Sequence, residues 1–447
     1  MFRKSITLIW GCTLAVSLAA CTQGGSPVID GGQDDAGLDG GLGYRVMSLD
    51  STPSELQPLS LSVGPQDQVG VAYFQNIGNA SDPVRNYQIK YVQWQNNVAT
   101  TPSVVQTVQN VYGVSVAFQN SGVPAVAYLG GFKASAGIAW PQSEAVVAYQ
   151  QLDRTWQEDV AVIQPGEASA GSDPGNAGHI VGLYPSLLFN LGKAYLSYRD
   201  VHFGQNATDW SNSNLELASG GPGNDQLSGG PWIHDMIAAG PTVSSGIKGP
   251  GYGGHTQIIW ANGQPAVVSD QLIQGGGDNG QNALFTLRQA NGIWGVPTKI
   301  IPSADTQGGP SVAYDSTYGF GAVAVDRGPS ALYYNSSVDG LTWLLSPEAV
   351  FQSGTGGWYP SLAIDPIHHQ PAISFYLCAL GTGVAEGSCP TAEDELKISY
   401  RNSNGWQHQT VDTNGGVRTR LAFLSTGKAV IVYRDPHSGA IQLAVQN

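Results

Sequence analysis

Charge is scarce in this chain. Only 12% of its 447 residues are Asp, Glu, Lys or Arg, about half the usual ~25%. Helical bundles, coiled coils and helical solenoids need Lys and Glu for their solvent faces, so the shortage argues against them. Bases are scarcer still, 19 against 33 acids, for a formal net charge of −14. Nucleic-acid binding needs a basic face, and this balance argues against nucleic acid as a partner. The longest apolar run, residues 5–20, falls short of the ~20 residues that span a bilayer. No HExxH, GxSxG or phosphate-binding loop is present, so the common metalloprotease, hydrolase and nucleotide signatures are missing. No pair of carboxylates stands out for glycoside hydrolysis. With only four cysteines and no CxxC, no metal site and no cofactor are expected.

What is plentiful is glycine, 59 residues, together with 41% hydrophobic and 9% aromatic residues, ample for a packed core. The amino terminus reads as an address. Arg3 and Lys4 precede the small-residue apolar run, which ends Leu18-Ala19-Ala20-Cys21. This pattern is a secretory signal, and its ending resembles the lipobox of bacterial lipoproteins. The resemblance implies cleavage before Cys21, a diacylglycerol thioether on its sulfur and an acylated amino group. The alternative is ordinary secretory cleavage after Ala20. Several acyl chains anchor a protein stably where one does so only marginally. Thr22 rather than Asp follows, which by the same resemblance favours the outer membrane of a Gram-negative cell envelope, periplasmic or surface-exposed. Residues 22–43 are Gly-rich and acidic with almost nothing to bury, the composition of a flexible tether. Asp34, Asp35 and Asp39 there could hold calcium loosely, although a solvated spacer is the plainer expectation. The expected organisation is a signal over 1–20, an acylated Cys21 and tether over 21–43, and one folded domain over 44–447.

That domain repeats one unit seven times. Second strands of a recurring pair read VGVAYF at 69–74, PAVAYL at 124–129, KAYLSY at 193–198, PAVVSD at 265–270, GAVAVD at 321–326, PAISFY at 371–376 and KAVIVY at 428–433. Each carries a small residue near its start: Gly70, Ala125, Ala194, Ala266, Ala322, Ala372 and Ala429. A small residue recurring at one strand position suits a strand squeezed between neighbouring sheets. First strands precede them, as at 184–190, 309–315 and 359–365. Third strands follow, and fourth strands open on Trp156, Trp232, Trp294, Trp343 and Trp406. Asn291-Gly292, Asp339-Gly340 and Asn404-Gly405 are tight hairpin signals. Four antiparallel strands with a period of about 58 residues are the signature of a β-propeller blade. The last repeat ends at Asn447 after three strands, and its fourth strand is found at the front. Gly43-Tyr44 with Leu49-Asp50 mirrors Gly405-Trp406 with Val411-Asp412. The expected fold is therefore all-β, a seven-bladed β-propeller of four-stranded antiparallel blades, its N-terminal strand closing the last blade and removing an open edge.

Propeller connections that leave second strands and lead into first strands share one face. They are long here, at 130–144, 164–183, 199–213, 239–254, 271–281 and 377–394, which marks that face for binding. Residues repeated in several blades are expected to be structural. Asp200, Asp270, Asp326 and Asp435, which follow second strands, read as turn-capping acids paired with Arg199, Arg327 and Arg434. Residues particular to one blade are more informative: His202, Trp210, His255, Trp358, Tyr359, Arg418 and Arg420. Aromatic and Arg side chains at an axial mouth suit sugar stacking or carboxylate recognition. Trp210, His255, Trp358, Tyr359 and Arg420 are the ligand-binding candidates. His202, His255, Tyr359, Arg418 and Arg420 are the candidates for acid–base and substrate-carboxylate roles should the protein be an enzyme. His368-His369 belongs to a turn on the opposite face and reads as solvated. Cys378 and Cys389, 11 apart in one insertion of an oxidising compartment, are expected to form a disulfide.

Ser337-Val338-Asp339-Gly340-Leu341-Thr342-Trp343 resembles the Asp-box of sialidase-like propellers, one residue shorter than the usual spacing. In that family the motif is structural and occupies the hairpin between third and fourth strands. The repeat pattern as a whole is similar to sialidase-like and BNR-type propellers over residues 44–447. The arginine triad and Tyr/Glu pair of a sialidase cannot be placed here, so no catalytic residue carries over. The leading expectation is a lipid-anchored envelope protein that binds a glycan or an envelope protein through its loop-crowned face. The alternatives are a carbohydrate-active enzyme, glycosidase or polysaccharide lyase, with an axial active site, and a structural subunit of an envelope complex. The missing catalytic signatures lean against an enzyme, and the oligomeric state is not legible.

Overall fold

In a computed structural model the described residues are 43–78, 86–130, 143–163, 178–203, 213–240, 250–272, 280–301, 308–326, 331–352, 356–378, 389 and 394–447. They form seven antiparallel sheets, numbered here blade 1 to blade 7, the first six built from consecutive strands. The innermost strands are Leu59–Val63, Val114–Phe118, Gly178–Asn190, Gly251–Ala261, Ser311–Asp315, Gly356–Ile364 and Val417–Phe423. Blade 1 has its outer strand divided into Val98–Ala99 and Ser103–Val108. The chain is a seven-bladed β-propeller, as its repeats predict. Closure is also as expected. Tyr44–Asp50 pairs antiparallel with Ile441–Gln446, Tyr44 opposite Gln446, and supplies the outermost strand of blade 7.

Second strands are buried on both faces, all seven residues of Pro124–Gly130 for example. A strand covered on both sides reads as a continuous apolar run rather than an alternation, which is why PAVAYL and its relatives stand out. The core is divided accordingly. Apolar clusters fill the seven junctions between neighbouring blades, such as Ala125, Val147 and Tyr149 against Leu196, Ala218 and Trp232 between blades 2 and 3. Another lies between blades 7 and 1, where Leu49, Val432 and Leu443 meet Val69, Val71 and Trp94.

The small-residue register is less uniform than the sequence suggests. Gly70, Ala125, Ala266 and Ala372 hold equivalent ladder positions opposite Ser62, Ala117, Ile259 and Ala363. In blade 5 that position is Gly321, not Ala322. In blades 3 and 7 it is Tyr195 and Val430, one residue after Ala194 and Ala429. Space at the junction of blades 5 and 6 sets the requirement: a Cβ on Gly321 would sit 2.8 Å from the Tyr334 hydroxyl of its own blade and 3.2 Å from Leu362 of the next. The outer strands also differ. Trp156 and Trp406 lie in theirs, whereas Trp232, Trp294 and Trp343 precede short strands at Ile233–Ala238, Thr298–Ile301 and Glu348–Phe351.

Blade junctions carry polar latches. Tyr433 of blade 7 donates to Asp412 on the outer strand of blade 6. Tyr73 of blade 1 donates to Asp50 on the closing strand at 2.6 Å, and Lys90 reaches the same carboxylate at 3.1 Å. The sequence mirror between Asp50 and Asp412 is thus one latch used twice. The Asp-box is structural as well. Asp339 Oδ1 accepts from the Leu341 and Thr342 amides at 2.8 Å, Gly340 turns at φ 75°, and Trp343 packs on Phe285 between blades 4 and 5.

Candidate functional site

Each innermost strand brings one residue to the same level of the axis. These are Ser60, Ser115, Ser186, Gln257, Ser311, Ser361 and Arg420, opposite Ala72, Ala127, Ser197, Val268, Val323, Ser374 and Val432. Six of them accept a hydrogen bond from a backbone amide of the next blade. Val116 donates to Ser60 at 3.0 Å, Leu187 to Ser115 at 2.9 Å, Ile258 to Ser186 at 3.1 Å, Val312 to Gln257 at 2.9 Å, Leu362 to Ser311 at 3.0 Å and Leu421 to Ser361 at 2.9 Å. An innermost strand is a sheet edge whose outward amides need acceptors. The ring of hydroxyls supplies them and joins blade to blade.

Two residues before that ring position the strand is bent. In blades 3, 4, 6 and 7 one extra residue is inserted against the second strand, between Leu183 and Ser186, Gly254 and Gln257, Trp358 and Ser361, and Val417 and Arg420. Such bulges re-aim side chains and gather next to active sites. The bulges place Tyr184, His255, Tyr359 and Arg418 in left-handed backbone, at φ 51°, 44°, 54° and 59°. Non-glycine residues reach that region at a cost of ~1 kcal/mol or more, and functional sites collect such strain. Blades 2 and 5 put Gly113 and Gly309 at the same level, φ 105° and 84°. A Cβ on Gly309 would collide with His255 Cβ, and one on Gly308 with the ring of Tyr359. The two glycines therefore give His255 and Tyr359 their space.

The result is an axial cavity of about 260 Å³ on the face the long connections share. His255, Arg418, Arg420, Tyr184 and the hydroxyl ring line it. The Tyr184 and His255 rings lie 4.4 Å apart, centroid to centroid. The Arg418 guanidinium stacks 4.6 Å from the centroid of Tyr359, and its Nε donates to Leu56 O at 3.1 Å. His255 Nδ1 lies 2.8 Å from Asp270 Oδ2. The His255 side chain is 27% exposed and that of Asp270 fully buried. A carboxylate accepts, so Nδ1 carries the proton and the neutral ring keeps its lone pair on Nε2. Nε2 has no hydrogen-bond partner among the described residues. Arg199, buried beside Asp270, is lowered to about 9 by burial, which the charges of Asp270 and Tyr112 oppose. At neutral pH it remains a cation facing the buried carboxylate. Arg420 is lowered to about 10, first by burial and then by its neighbour Arg418.

Of the candidates read from the sequence, His255, Arg418 and Arg420 meet around one cavity. Tyr359 adjoins it, 1% exposed beneath Arg418. Trp358 is directed into packing instead: it is 4% exposed, with its ring 5.7 Å from Tyr376 and in one cluster with Cys378 and Cys389. Trp210 and the side chain of His202 lie outside the described residues, as do Arg327, most of the long connections, Cys21 and Asp34, Asp35 and Asp39. The turn-cap expectation holds for Asp435, which accepts from His437 and Ser438 amides at 2.8 and 3.1 Å. It fails for Asp270, which sits one ladder position earlier, level with Arg199 and Arg434, where the second strand faces the bulge. Nor does Arg434 pair with Asp435. It donates to the backbone oxygens of Gln57, Gly439 and Phe74, tying blade 7 to the crossing into blade 1. Sequence reasoning missed Tyr184, the hydroxyl ring and the role of Asp270. The repeated Tyr-Pro-Ser at 184–186 and 359–361 was the available signal.

Cys378 and Cys389 form the expected disulfide. With Asp394 they are the one group among the described residues spaced for a metal, and the disulfide withdraws both thiolates. Other histidines also hold carboxylates: His368 to Asp365 at 2.6 Å, His369 to Asp315 at 3.0 Å and His437 to Asp394 at 2.7 Å. None of these three lines the axial cavity. A recess of about 540 Å³ on the opposite face gathers Tyr91, Gln93, Gln119, Tyr149 and Arg154, without an acid–base pair. The opposite end of the axis is an apolar cup lined by Phe189, Trp260, Tyr314 and Phe423.

No protein-family profile and no curated protein matches the chain. Solved structures do match in fold. The K499G mutant of NanB sialidase from Streptococcus pneumoniae aligns with a TM-score of 0.45 and 11% identity over 89% of this chain and 69% of its own. The α-L-arabinanase of Penicillium chrysogenum, complexed with arabinobiose, aligns at 0.45 and 12% over 90% and 98%. An α-L-arabinofuranosidase of Fusarium graminearum aligns at 0.46 and 11% over 90% and 98%. At these values the likeness extends to no residue and no activity.

Proposed function

We propose that this propeller recognises a carbohydrate outside the cytoplasm at the mouth of its axial cavity, and that His255 acts there as the acid–base group of a carbohydrate-active enzyme. The observation that carries this is the His255–Asp270 pair, 2.8 Å apart, set at a left-handed bulge and facing the cavity. A buried carboxylate that fixes the tautomer of a partly exposed histidine is the arrangement a general base requires. Tyr184 beside it offers an aromatic face and a hydroxyl, and the serine ring offers further hydroxyls, a wall suited to a polyol. Removal of the signal and acylation of Cys21 would hold the protein on the envelope, with residues 22–43 as its tether.

A second reading is binding without turnover, through the same cavity. It is favoured by the lining, which contains no Asp or Glu among the described residues, whereas glycoside hydrolysis ordinarily uses two carboxylates. Native gels cast with a panel of polysaccharides separate the two. Clearing of one polysaccharide around the wild-type band, lost in His255→Gln with migration still retarded, supports the enzyme. Retardation without clearing in both supports binding alone. Unchanged migration of the wild type in every gel overturns a carbohydrate function.

A further inference from the structure

The hydroxyl ring is broken at one junction. Six blades accept the next blade's amide with Ser or Gln. Blade 7 presents Arg420, whose guanidinium has five donors and no acceptor. Opposite it is Leu61 of blade 1, which pairs with Val71 in the register that Val116 and its counterparts share. Its amide therefore points away from the ladder and has no acceptor among the described residues. Arg420 is itself undersupplied. One guanidinium nitrogen donates to Thr419 O at 2.9 Å, and no other hydrogen bond from it is made among the described residues. The second cation, Arg418, lines the same cavity, which has no carboxylate in its described lining. Both arginines are half-buried at the wall of the cavity, and an arginine fork matches a carboxylate in two parallel hydrogen bonds.

We infer that the junction of blades 7 and 1 is a carboxylate seat, with Arg420 and the Leu61 amide as its donors and Arg418 as a second positive charge, so that the ligand of the axial cavity is an acidic glycan bearing a uronate. This rests on the proposed function for its site and adds the substrate class. The seat has a definite chemical consequence. A serine or glutamine at position 420 supplies the acceptor that Ser361 and Gln257 supply elsewhere in the ring, and removes the seat.

The test uses sodium glucuronate as probe, with glucose, sodium acetate and sodium chloride at matched concentration and ionic strength, against the full-length protein and its Arg420→Ser and Arg420→Gln variants. Calorimetry and thermal melts are both read. The expected result is a saturable rise in the wild-type melting temperature with glucuronate and none with glucose or chloride. Binding should weaken at least tenfold in both variants, which without ligand melt no lower than wild type. Equal binding by wild type and variants, or no response to glucuronate, overturns the seat. An acetate response as tight as that to glucuronate shows a small-anion site and overturns the acidic-sugar assignment. Polysaccharide retention or clearing without any glucuronate response would leave the proposed function standing and defeat only this inference. A glucuronate response with every polysaccharide ignored would do the reverse.

Discussion

Replacing Asp50 by Asn should weaken closure of the propeller in a pH-dependent way. Asp50 lies on the N-terminal strand and accepts from the Tyr73 hydroxyl at 2.6 Å, the Lys90 ammonium at 3.1 Å and the Thr52 amide at 3.0 Å. Burial pushes its carboxyl up, but the hydrogen bonds from Thr52, Tyr73 and Lys90 outweigh burial and hold it at about 2, against an ordinary 3.8. A tenfold change in proton affinity is worth about 1.4 kcal/mol, so the unscreened contribution is about 2 kcal/mol. Solvent reaches part of the latch, which reduces this to about 1 kcal/mol. The folded value is depressed. The contribution is therefore fully present above the unfolded value near 4 and is lost as pH falls through about 2. Denaturant unfolding of wild type and Asp50→Asn, followed by tryptophan fluorescence from pH 7 to pH 2, measures it. The gap between the two proteins should be constant from pH 7 to 5, narrow below 4 and close near 2. A gap that is absent at pH 7, or that persists unchanged to pH 2, would refute the latch.

Three further outcomes follow from the same geometry. Arg434→Met leaves the buried oxygens of Gln57, Gly439 and Phe74 without their donor and should cost about 3 kcal/mol or more in denaturant unfolding. Gly309→Ala places a Cβ against His255 at a left-handed position. It should reduce any polysaccharide clearing by tenfold or more, while far-UV circular dichroism shows the fold retained. Reducing the Cys378–Cys389 bond, which closes an 11-residue separation, should destabilise the protein by up to about 3 kcal/mol through the chain entropy it releases. Denaturant unfolding with and without dithiothreitol reads it.

Much of the architecture was legible because a propeller repeats its physics. Strands covered on both faces must be apolar throughout, and closure copies one Gly-to-Asp pattern from 405–412 to 43–50, so count, order and closure could be read directly. The exact register could not. Ala194 and Ala429 look like Ala266 yet sit one position off: the equivalent position holds Tyr195 in blade 3 and Val430 in blade 7, whereas in blade 5 it holds Gly321, hard against the Tyr334 hydroxyl. The site was visible in part. His255, Arg418 and Arg420 stand out because no other blade repeats them. Asp270 was misassigned because the sequence does not show that it sits level with Arg199 and Arg434, one ladder position before Asp435, where the second strand faces the bulge and meets His255. Trp358, two residues from the cavity-lining Pro360, packs away from it for the same reason: alternation across a bulge reverses which neighbour faces the axis.

The most direct measurement is nitrogen-15 NMR of the histidine rings while an oligosaccharide from the retained polysaccharide is added. His368 and His369 on the opposite face serve as internal controls. The predicted result is a His255 ring protonated on Nδ1 and bare on Nε2, whose Nε2 resonance moves with ligand while those of His368 and His369 stay fixed. A His255 protonated on Nε2, or a ligand that moves His368 and His369 and leaves His255 untouched, would contradict an axial acid–base site.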